Sequence, residues 1–370
     1  MSARFLTAVS GRAFNMRDRF GREIDYMRIS VIDSCNLNCY YCNPCDNNEH
    51  CHALNILSVK EVLCIVRAAT RLGIKHFRLT GGEPLLHPQI DEMVLQIKKI
   101  PGVRSVSLTT NAVLLAQHAK WLKEAGIDSI NVSLDTIDAS EYERITKKPL
   151  LEEVKHGINA AIECGIRVKI NAVLTPQTDV LALTGYASKK GTDIRFIEMM
   201  PVGEGHTNGV EPYKKVIGTL SKLYGEPCRI NTEKTKEINS GNDKRKIPDN
   251  GPAEYYIFPE LGIRVGLIQA IHGKFCDTCN RIRVTADGRL MPCLGSSVTM
   301  DLVPDSWDFA DDVEKDFAIV RALRAAIKAK PRCHNFNDNA VTYTKTTETK
   351  TTEIEAAEVN AARNMSRIGG

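Results

Sequence analysis

The feature that most constrains the fold is an alternation of short β-branched runs with longer segments of helical period. Six strand candidates, each short and largely apolar, fall at residues 26–33, 76–80, 104–109, 129–134, 167–174 and 193–198. Between them, segments such as 59–72 and 151–164 repeat apolar residues at helical spacing and are followed by glycine. This alternation is typical of βα units around a parallel sheet. Because a closed barrel needs eight such units, we expect an α/β fold, a partial (βα)6 TIM-like barrel with one open face.

The segment after the last strand candidate is expected to cover that open face. It begins with a polar stretch at 231–250 and continues with strand candidates at 254–259 and 262–268. A low-complexity tract, TKTTETKTTE, starts at residue 344 and is too polar to bury a core. We therefore divide the chain into five parts: an N-terminal arm (1–20), the partial barrel (21–230), a C-terminal domain (231–343), a polar linker (344–360) and a tail (361–370).

Composition excludes several classes of protein. Hydrophobic residues make up 43% and charged residues 25%, which is ordinary for a folded protein, and no run of 18 apolar residues is present to span a bilayer. A formal charge of +4 is too small to indicate a nucleic-acid surface. Residues 1–17 contain three arginines and no acid, so mitochondrial import is a minority alternative to a cytoplasmic location. The 12 clustered cysteines predict metal binding in a reducing compartment.

The first cysteine group follows the first strand candidate. Cys35, Cys39 and Cys42 have C-x3-C-x2-C spacing in the sequence DSCNLNCYYCNPC. Three thiolates on one short loop can hold three irons of a cubane cluster and leave the fourth iron open for a ligand. The alternative is a closed four-ligand site, such as structural zinc, completed by one of the neighbouring residues Cys45, His50, Cys51 and His52. The x3 gap fits zinc poorly, so we prefer the three-ligand cluster.

The second strand candidate ends in a Gly-Gly-Glu-Pro segment, residues 81–84. Its glycines are expected to let the backbone approach a ligand closely, and Glu83 is expected to accept from an amine. On its own the tetrapeptide could be a simple turn. The tetrapeptide and the cysteine loop each follow a strand, and sites on βα barrels form at the C-terminal strand ends. Together the two motifs are therefore a specific signal of a functional site.

A second cysteine group lies in the C-terminal domain. Cys276, Cys279 and Cys293 have C-x2-C-x13-C spacing and are again a set of three thiolates, with Cys333 as a conceivable fourth ligand. A structural zinc ribbon has similar spacing and is the alternative here.

With these motifs in place, the sequence resembles the radical S-adenosylmethionine superfamily, and within it the family of GTP 3',8-cyclases of molybdenum-cofactor biosynthesis. The resemblance covers nearly the whole chain and rests further on SLTTNA, INVSLD, VKINAV and IRFIEMMPVG at the third to sixth strands and on the final Gly-Gly. It implies one [4Fe-4S] cluster on Cys35, Cys39 and Cys42 and a second on Cys276, Cys279 and Cys293. It also implies that the second cluster keeps an open iron for the guanine base.

The resemblance assigns contacts residue by residue. S-adenosylmethionine is expected against Tyr41, Gly82, Ser133 and Met200. GTP is expected against Arg28, Arg78, Thr109, Lys169, Arg281, Ile282 and Arg283. Burying a triphosphate needs several fixed cations, preferably arginines, and Arg195 has the same placement within a strand. For each cation taken alone, the alternative to a GTP contact is a side chain that snorkels to solvent or forms a structural ion pair.

The implied reaction is a radical cyclisation of GTP in which Cys35, Cys39, Cys42, Arg281 and Arg283 are the central residues. The implied partners are GTP, an external electron donor and a downstream enzyme that forms cyclic pyranopterin, and the chain is a possible homodimer; no nucleic acid or membrane is expected. Two alternatives stay open: a radical S-adenosylmethionine enzyme that modifies a peptide with an auxiliary cluster, and a non-catalytic iron-sulfur or zinc protein.

Overall fold

The computed structural model describes residues 16–42, 55–202, 209–230, 251–296, 298–302, 312–334 and 336. Residues 1–15 of the expected arm lie outside these ranges, as do the linker, the tail, and Cys45, His50, Cys51 and His52. Among the described residues, no helix is both long and apolar enough to span a membrane.

The six strand candidates are confirmed, with ends shifted by a few residues. They form β1 (Tyr26–Ser30), β2 (His76–Thr80), β3 (Ser105–Thr110), β4 (Ser129–Ser133), β5 (Val168–Leu174) and β6 (Asp193–Glu198). Between them lie α1 (Val59–Arg71), α2 (Ile90–Lys98), α3 (Leu115–Glu124), α4 (Ala139–Thr146), α5 (Leu151–Glu163) and α6 (Val180–Lys189). Consecutive strands from β1 to β6 pair in parallel, which is the predicted partial barrel.

Local sequence explains where the helices begin and end. Ser58 caps α1 through a capping box, in which its hydroxyl accepts from the Glu61 N–H at 3.3 Å while the Glu61 carboxylate accepts from the Ser58 N–H at 2.7 Å. Gly73, Gly126 and Gly165 follow α1, α3 and α5 with φ of 86°, 87° and 69°. These left-handed conformations favour glycine and end the helices as the sequence predicted.

The C-terminal segment extends the barrel sheet at both edges. After α7 (Gly218–Tyr224) come β7 (Cys228–Arg229), β8 (Glu254–Ile257), β9 (Arg264–Ile268), β10 (Arg281–Val284), β11 (Arg289–Met291), β12 (Met300–Asp301) and α8 (Asp312–Ala329). β9 pairs in parallel with β6, and β10 pairs in parallel with β1. The strands described form one sheet in the order β12-β11-β10-β1-β2-β3-β4-β5-β6-β9-β8-β7. The second cysteine group therefore lies beside the first strand of the barrel, and the division at residue 230 stays a prediction.

The two faces of the sheet differ in chemistry. Side chains such as Phe77, Leu108 and Ile130 point outward and pack against the helices in the main hydrophobic core. Their neighbours on the inner face are polar, as Arg78 and Thr109 illustrate. A barrel interior is ordinarily filled by branched apolar residues. A polar interior indicates a binding cavity instead.

Candidate active site

A cavity of about 310 Å³ lies inside the curved sheet, toward the C-terminal ends of its parallel strands. Its wall includes both cysteine groups, the Gly-Gly segment after β2 and arginines from β1, β2, β6 and β10. Residues separated by most of the chain therefore share one enclosure. This is the arrangement that the position of the motifs predicted.

Cys35, Cys39 and Cys42 lie on the loop after β1 and line this cavity. The Cys42 N–H donates to the Cys39 carbonyl at 2.9 Å and closes a tight turn. The loop is also held to the end of α4, where the Asn38 N–H donates to the Thr146 carbonyl at 3.0 Å. The loop backbone is thus fixed by its own turn and by a neighbouring helix.

The surroundings of these three thiols fit an iron-sulfur cluster. Burial raises the pKa of Cys35 to about 11 and that of Cys42 to about 12, so each sulfur needs a bound cation to become a thiolate. The Cys35 sulfur accepts hydrogen bonds from the Leu37 N–H at 3.5 Å and from the Asn111 amide at 3.8 Å, which suits an anionic ligand. In the part of the chain described, no three His, Cys, Asp or Glu side chains converge on one metal-ion position. A cubane cluster spreads its ligands over different irons, so this finding is consistent with it.

The Gly-Gly-Glu-Pro segment holds the cysteine loop in place. The Gly82 N–H donates to the Ile32 carbonyl and the Glu83 N–H donates to the Ser34 carbonyl, both at 2.8 Å. A Cβ at Gly81 would lie 2.2 Å from the Ile32 oxygen, and one at Gly82 would lie 2.2 Å from the Ser34 oxygen. The glycines therefore allow two backbone segments to cross closely just before Cys35.

Glu83 does not have the role that the sequence suggested. Its side chain is fully buried, and its carboxylate accepts from the Leu85 N–H at 3.0 Å, the Thr110 hydroxyl at 2.7 Å and the Asn111 N–H at 2.7 Å. Burial raises the pKa of Glu83 to about 7, although these three donors oppose the rise. The expectation that this carboxylate accepts from a ligand amine is not supported, because its oxygens already accept from one donor in the following turn and two at the end of β3.

Tyr41, Gly82, Ser133 and Met200, the residues expected to contact S-adenosylmethionine, all line the cavity. The Tyr41 hydroxyl donates to Asp135, whose other carboxylate oxygen accepts from the Val173 N–H at 2.8 Å. Asp135 therefore ties the cysteine loop to β5. Asp135 was not among the predicted site residues, although it is the last residue of the INVSLD motif.

Cys276, Cys279 and Cys293 also line the cavity, at the edge formed by β10. Burial raises the pKa of Cys279, but the positive charges of Lys330 and Arg281 outweigh burial, so the pKa is lowered overall. Burial raises the pKa of Cys276 and of Cys293, so a bound metal cluster would be needed to hold all three sulfurs as thiolates. The Cys333 side chain is exposed and is not part of the cavity wall described.

The second cysteine group is held in place by two cations, Arg22 and Lys330, that were not predicted from the sequence. Arg22 pairs with Asp18 and donates to the carbonyls of Cys276 at 2.7 Å and Pro331 at 2.6 Å. Lys330 donates to the carbonyls of Arg281 and Pro292, both at 2.8 Å. Neither Arg22 nor Lys330 was predicted as a site residue, because each acts on backbone far away in the chain.

Four arginines form a cluster on the inner face of β10, β1 and β2, around the ring of Tyr26. Arg28 is the register partner of Arg78 on one side and of Arg283 on the other. Burial, followed by the charges of Arg283 and Arg78, lowers the pKa of Arg28 well below its ordinary value. Burial and the charge of Arg281 lower the pKa of Arg283 to about 10. Such a crowded set of cations favours the binding of an anion.

The remaining residues expected to contact GTP lie at different depths. Thr109 lines the cavity, and Lys169 is 4% exposed on the same face of β5 as Asn171, which lines it. Arg195 lines the cavity and donates to the Asn171 amide oxygen at 2.9 Å. Ile282 is 1% exposed and packs in the main core, on the face opposite to its two arginine neighbours. Any contact of Ile282 with a ligand in the cavity would have to be through its backbone.

Comparison with known families agrees with this geometry. Residues 29–180 match the model of the Radical SAM superfamily, and residues 192–336 match the model described as Molybdenum Cofactor Synthesis C. The protein is therefore a radical S-adenosylmethionine protein, a class that uses S-adenosylmethionine with a [4Fe-4S] cluster. Its resemblance to that superfamily, noted from the motifs, is confirmed.

Similar proteins assign the chain to one family within this class. The chain is 36% identical over 324 residues to the GTP 3',8-cyclase of Clostridium perfringens (strain SM101 / Type A), covering 87% of this chain and 95% of that protein. It is 35% identical over 331 residues to the GTP 3',8-cyclase of Petrotoga mobilis, covering 88% and 96%. The chain belongs to the GTP 3',8-cyclase family.

Solved structures with the same fold are more distant in sequence. Streptococcus suis SuiB bound to S-adenosylmethionine aligns with a TM-score of 0.51 at 15% identity, over 80% of this chain and 65% of SuiB. SuiB bound to its precursor peptide SuiA aligns with a TM-score of 0.53 at 15% identity, over 83% and 68%. At this identity the likeness extends to the fold alone, and it confirms the predicted α/β partial barrel.

Proposed function

We propose that this protein is a GTP 3',8-cyclase of molybdenum-cofactor biosynthesis that works with S-adenosylmethionine and two [4Fe-4S] clusters. The observation that carries the proposal is that two sets of three cysteines and a four-arginine cluster line one cavity. Sequence identity of about a third to GTP 3',8-cyclases over most of both chains supports it. A peptide-modifying enzyme has no evident use for four crowded arginines in this enclosure.

Two groups of residues would bind S-adenosylmethionine and GTP, each beside its own cluster. Cys35, Cys39 and Cys42 would hold the first cluster, and Tyr41 with Gly82, Ser133 and Met200 would hold S-adenosylmethionine beside it. Cys276, Cys279 and Cys293 would hold the second cluster, with its open iron toward the guanine base. When bound, the first cluster and S-adenosylmethionine would supply a 5'-deoxyadenosyl radical, the chemistry needed to remove the 3' hydrogen of GTP.

The protein's own contribution is binding, orientation and exclusion of water. Arg28, Arg78, Arg281 and Arg283 bind the triphosphate, together with Thr109 and Lys169, and so fix the ribose. Fixing a reacting carbon against its partner can lower a barrier by several orders of magnitude. Phe275 and Leu294 line the cavity beside the second cysteine group and limit the entry of water there.

The proposed activity also implies partners. GTP is the substrate, an external electron donor reduces the first cluster, and a downstream enzyme converts the cyclised triphosphate to cyclic pyranopterin. The homodimer remains a proposal.

Anaerobic reconstitution tests the proposal. The loaded chain should contain about eight irons, four per cluster. With reductant, S-adenosylmethionine and GTP, it should form 5'-deoxyadenosine and the 3',8-cyclised nucleotide, both measured by chromatography and mass spectrometry. The matched control replaces Cys164, the residue that follows the outer helix α5, by Ala and should keep both products. Formation of 5'-deoxyadenosine without any loss of GTP would contradict the proposed substrate.

A further inference from the structure

Asn131, in the middle of β4, has an amide that the protein leaves unpaired. The residue is 0% exposed, and in the part of the chain described neither its amide nitrogen nor its amide oxygen has a hydrogen-bond partner. A buried amide without a partner lowers folding stability, so most such groups are paired by protein, water or ligand. The absence of a protein partner points to a ligand or a water.

Asn131 is not in the cavity wall described, but it lies directly beside it, next to the lining residues Thr109 and Ser133. Its neighbours Ile130 and Val132 pack in the outer core, so Asn131 is on the inner face with Ser133, which lines the cavity. It precedes Ser133 by two residues and is therefore about 7 Å deeper in the barrel. Asn131 thus belongs to a layer below the level expected for S-adenosylmethionine.

The two register partners of Asn131 show what kind of ligand this layer suits. Thr109 is its partner on β3 and Lys169 is its partner on β5. The Thr109 hydroxyl is also buried without a hydrogen-bond partner among the described residues, and Thr109 lines the cavity. A hydroxyl, an amide and an ammonium in one row on one face can all donate hydrogen bonds, which suits a phosphate group.

We propose that Asn131 is a further substrate-contacting residue, whose amide nitrogen donates to the terminal phosphates of the nucleoside triphosphate. This proposal rests on the proposed function, because it takes GTP as the ligand. The arginine cluster binds the triphosphate from β10, β1 and β2, and the row of Thr109, Asn131 and Lys169 binds it from β3, β4 and β5. The amide oxygen then accepts from a water that enters with the phosphates.

The experiment compares nucleotides that differ only in phosphate number. Binding of GTP, GDP and GMP to the anaerobic, cluster-loaded chain is measured by isothermal titration calorimetry without S-adenosylmethionine, so that no turnover occurs. Asn131→Leu keeps the branched shape of the side chain, although leucine is larger, and removes the donor. The matched control is Asn159→Leu on the outer helix α5, which should leave all three affinities unchanged.

Asn131→Leu should weaken GTP binding roughly 10- to 150-fold, the range for a hydrogen bond to a charged group. GMP affinity should change less than threefold. The nucleotide-free variant should melt at or above the wild-type temperature, since an unpaired buried amide has been removed. A purely structural role predicts the opposite change in melting temperature.

Asn131→Asp provides a second variant if the leucine chain does not fold. It has the same size but places a carboxylate against the phosphates, so it should weaken GTP binding more than Asn131→Leu does. Unchanged GTP affinity in either folded variant would overturn the inference and assign the amide to a buried water. Equal losses for GTP and GMP would also overturn it. A wild-type chain that binds no GTP would instead remove the proposed function, on which the inference rests.

Discussion

Replacing Arg283 by methionine should change nucleotide affinity and folding stability in opposite directions. Arg283 is 6% exposed and lies beside Arg28 and Arg281 in the cluster that lines the cavity. The fall in its pKa from 12.5 to about 10 corresponds to about 3 kcal/mol of free energy needed to hold the charge in the folded protein. Below pH 10 both folded and unfolded chains are protonated at this residue, so the whole of that cost is present at neutral pH.

Methionine removes the charge and keeps most of the volume. The nucleotide-free variant should therefore unfold with a free energy higher by up to about 3 kcal/mol, less the hydrogen bonds that the guanidinium makes. GTP binding should weaken by roughly 1.5–3 kcal/mol, or about 10- to 150-fold, because a charged hydrogen bond to phosphate is lost. Cluster content should not change, since Arg283 is not a ligand.

Three measurements on the anaerobic chain check this prediction: urea unfolding without nucleotide, calorimetric titration with GTP, and iron content. Arg71→Met is the matched control, because the Arg71 side chain is 57% exposed on the outer layer, where it pairs with Asp316. The control should leave GTP affinity and iron content unchanged. If Arg283→Met binds GTP as tightly as this control does, the arginine cluster is not the triphosphate site and the reasoning from crowded charge is wrong.

Three further changes test other parts of the site. Cys35→Ala should lower the iron content from about eight to about four per chain and abolish 5'-deoxyadenosine formation; continued formation would contradict the assignment of the first loop. Gly82→Ala should also lose the first cluster and keep the second, because the new Cβ would lie 2.2 Å from the Ser34 oxygen; full iron content with normal S-adenosylmethionine cleavage would count against this. Asp193→Asn should lower the free energy of unfolding at pH 7 by roughly 1.5–3 kcal/mol, because it weakens the link from β6 to Arg264. Burial raises the pKa of the Asp193 carboxyl, but the hydrogen bonds and charge of Arg264 outweigh burial and lower it overall. The Asp193 carboxylate contributes stability above pH 3.8, and this contribution disappears as pH falls through its lower folded pKa. Urea titrations should therefore show the stability difference between wild type and Asp193→Asn fading only below about pH 4. A stability difference that does not depend on pH would refute the link.

Sequence alone was sufficient for the features that depend on short spacing. The six barrel strands follow from short apolar runs between helical segments, and all six appear within a few residues of their predicted bounds. The C-x3-C-x2-C and C-x2-C-x13-C spacings place each set of thiols on a short stretch of chain. Alternation along a strand likewise puts Arg281 and Arg283 on one face and Ile282 on the other. Local geometry determines these relations, so no knowledge of packing is needed.

Only the tertiary structure decided which distant segments meet. Tyr41 and Asp135 are 94 residues apart in the chain, and Arg22 and Cys276 are 254 apart, yet each pair shares a hydrogen bond. Glu83 was assigned to a ligand from its motif, but the approach of β3 brings two protein donors, from Thr110 and Asn111, to its carboxylate. Such contacts arise when parallel strands align their ends and the C-terminal strands join both edges of the sheet. Spacing along the chain has no information about that alignment, which is set by the packing of the whole sheet.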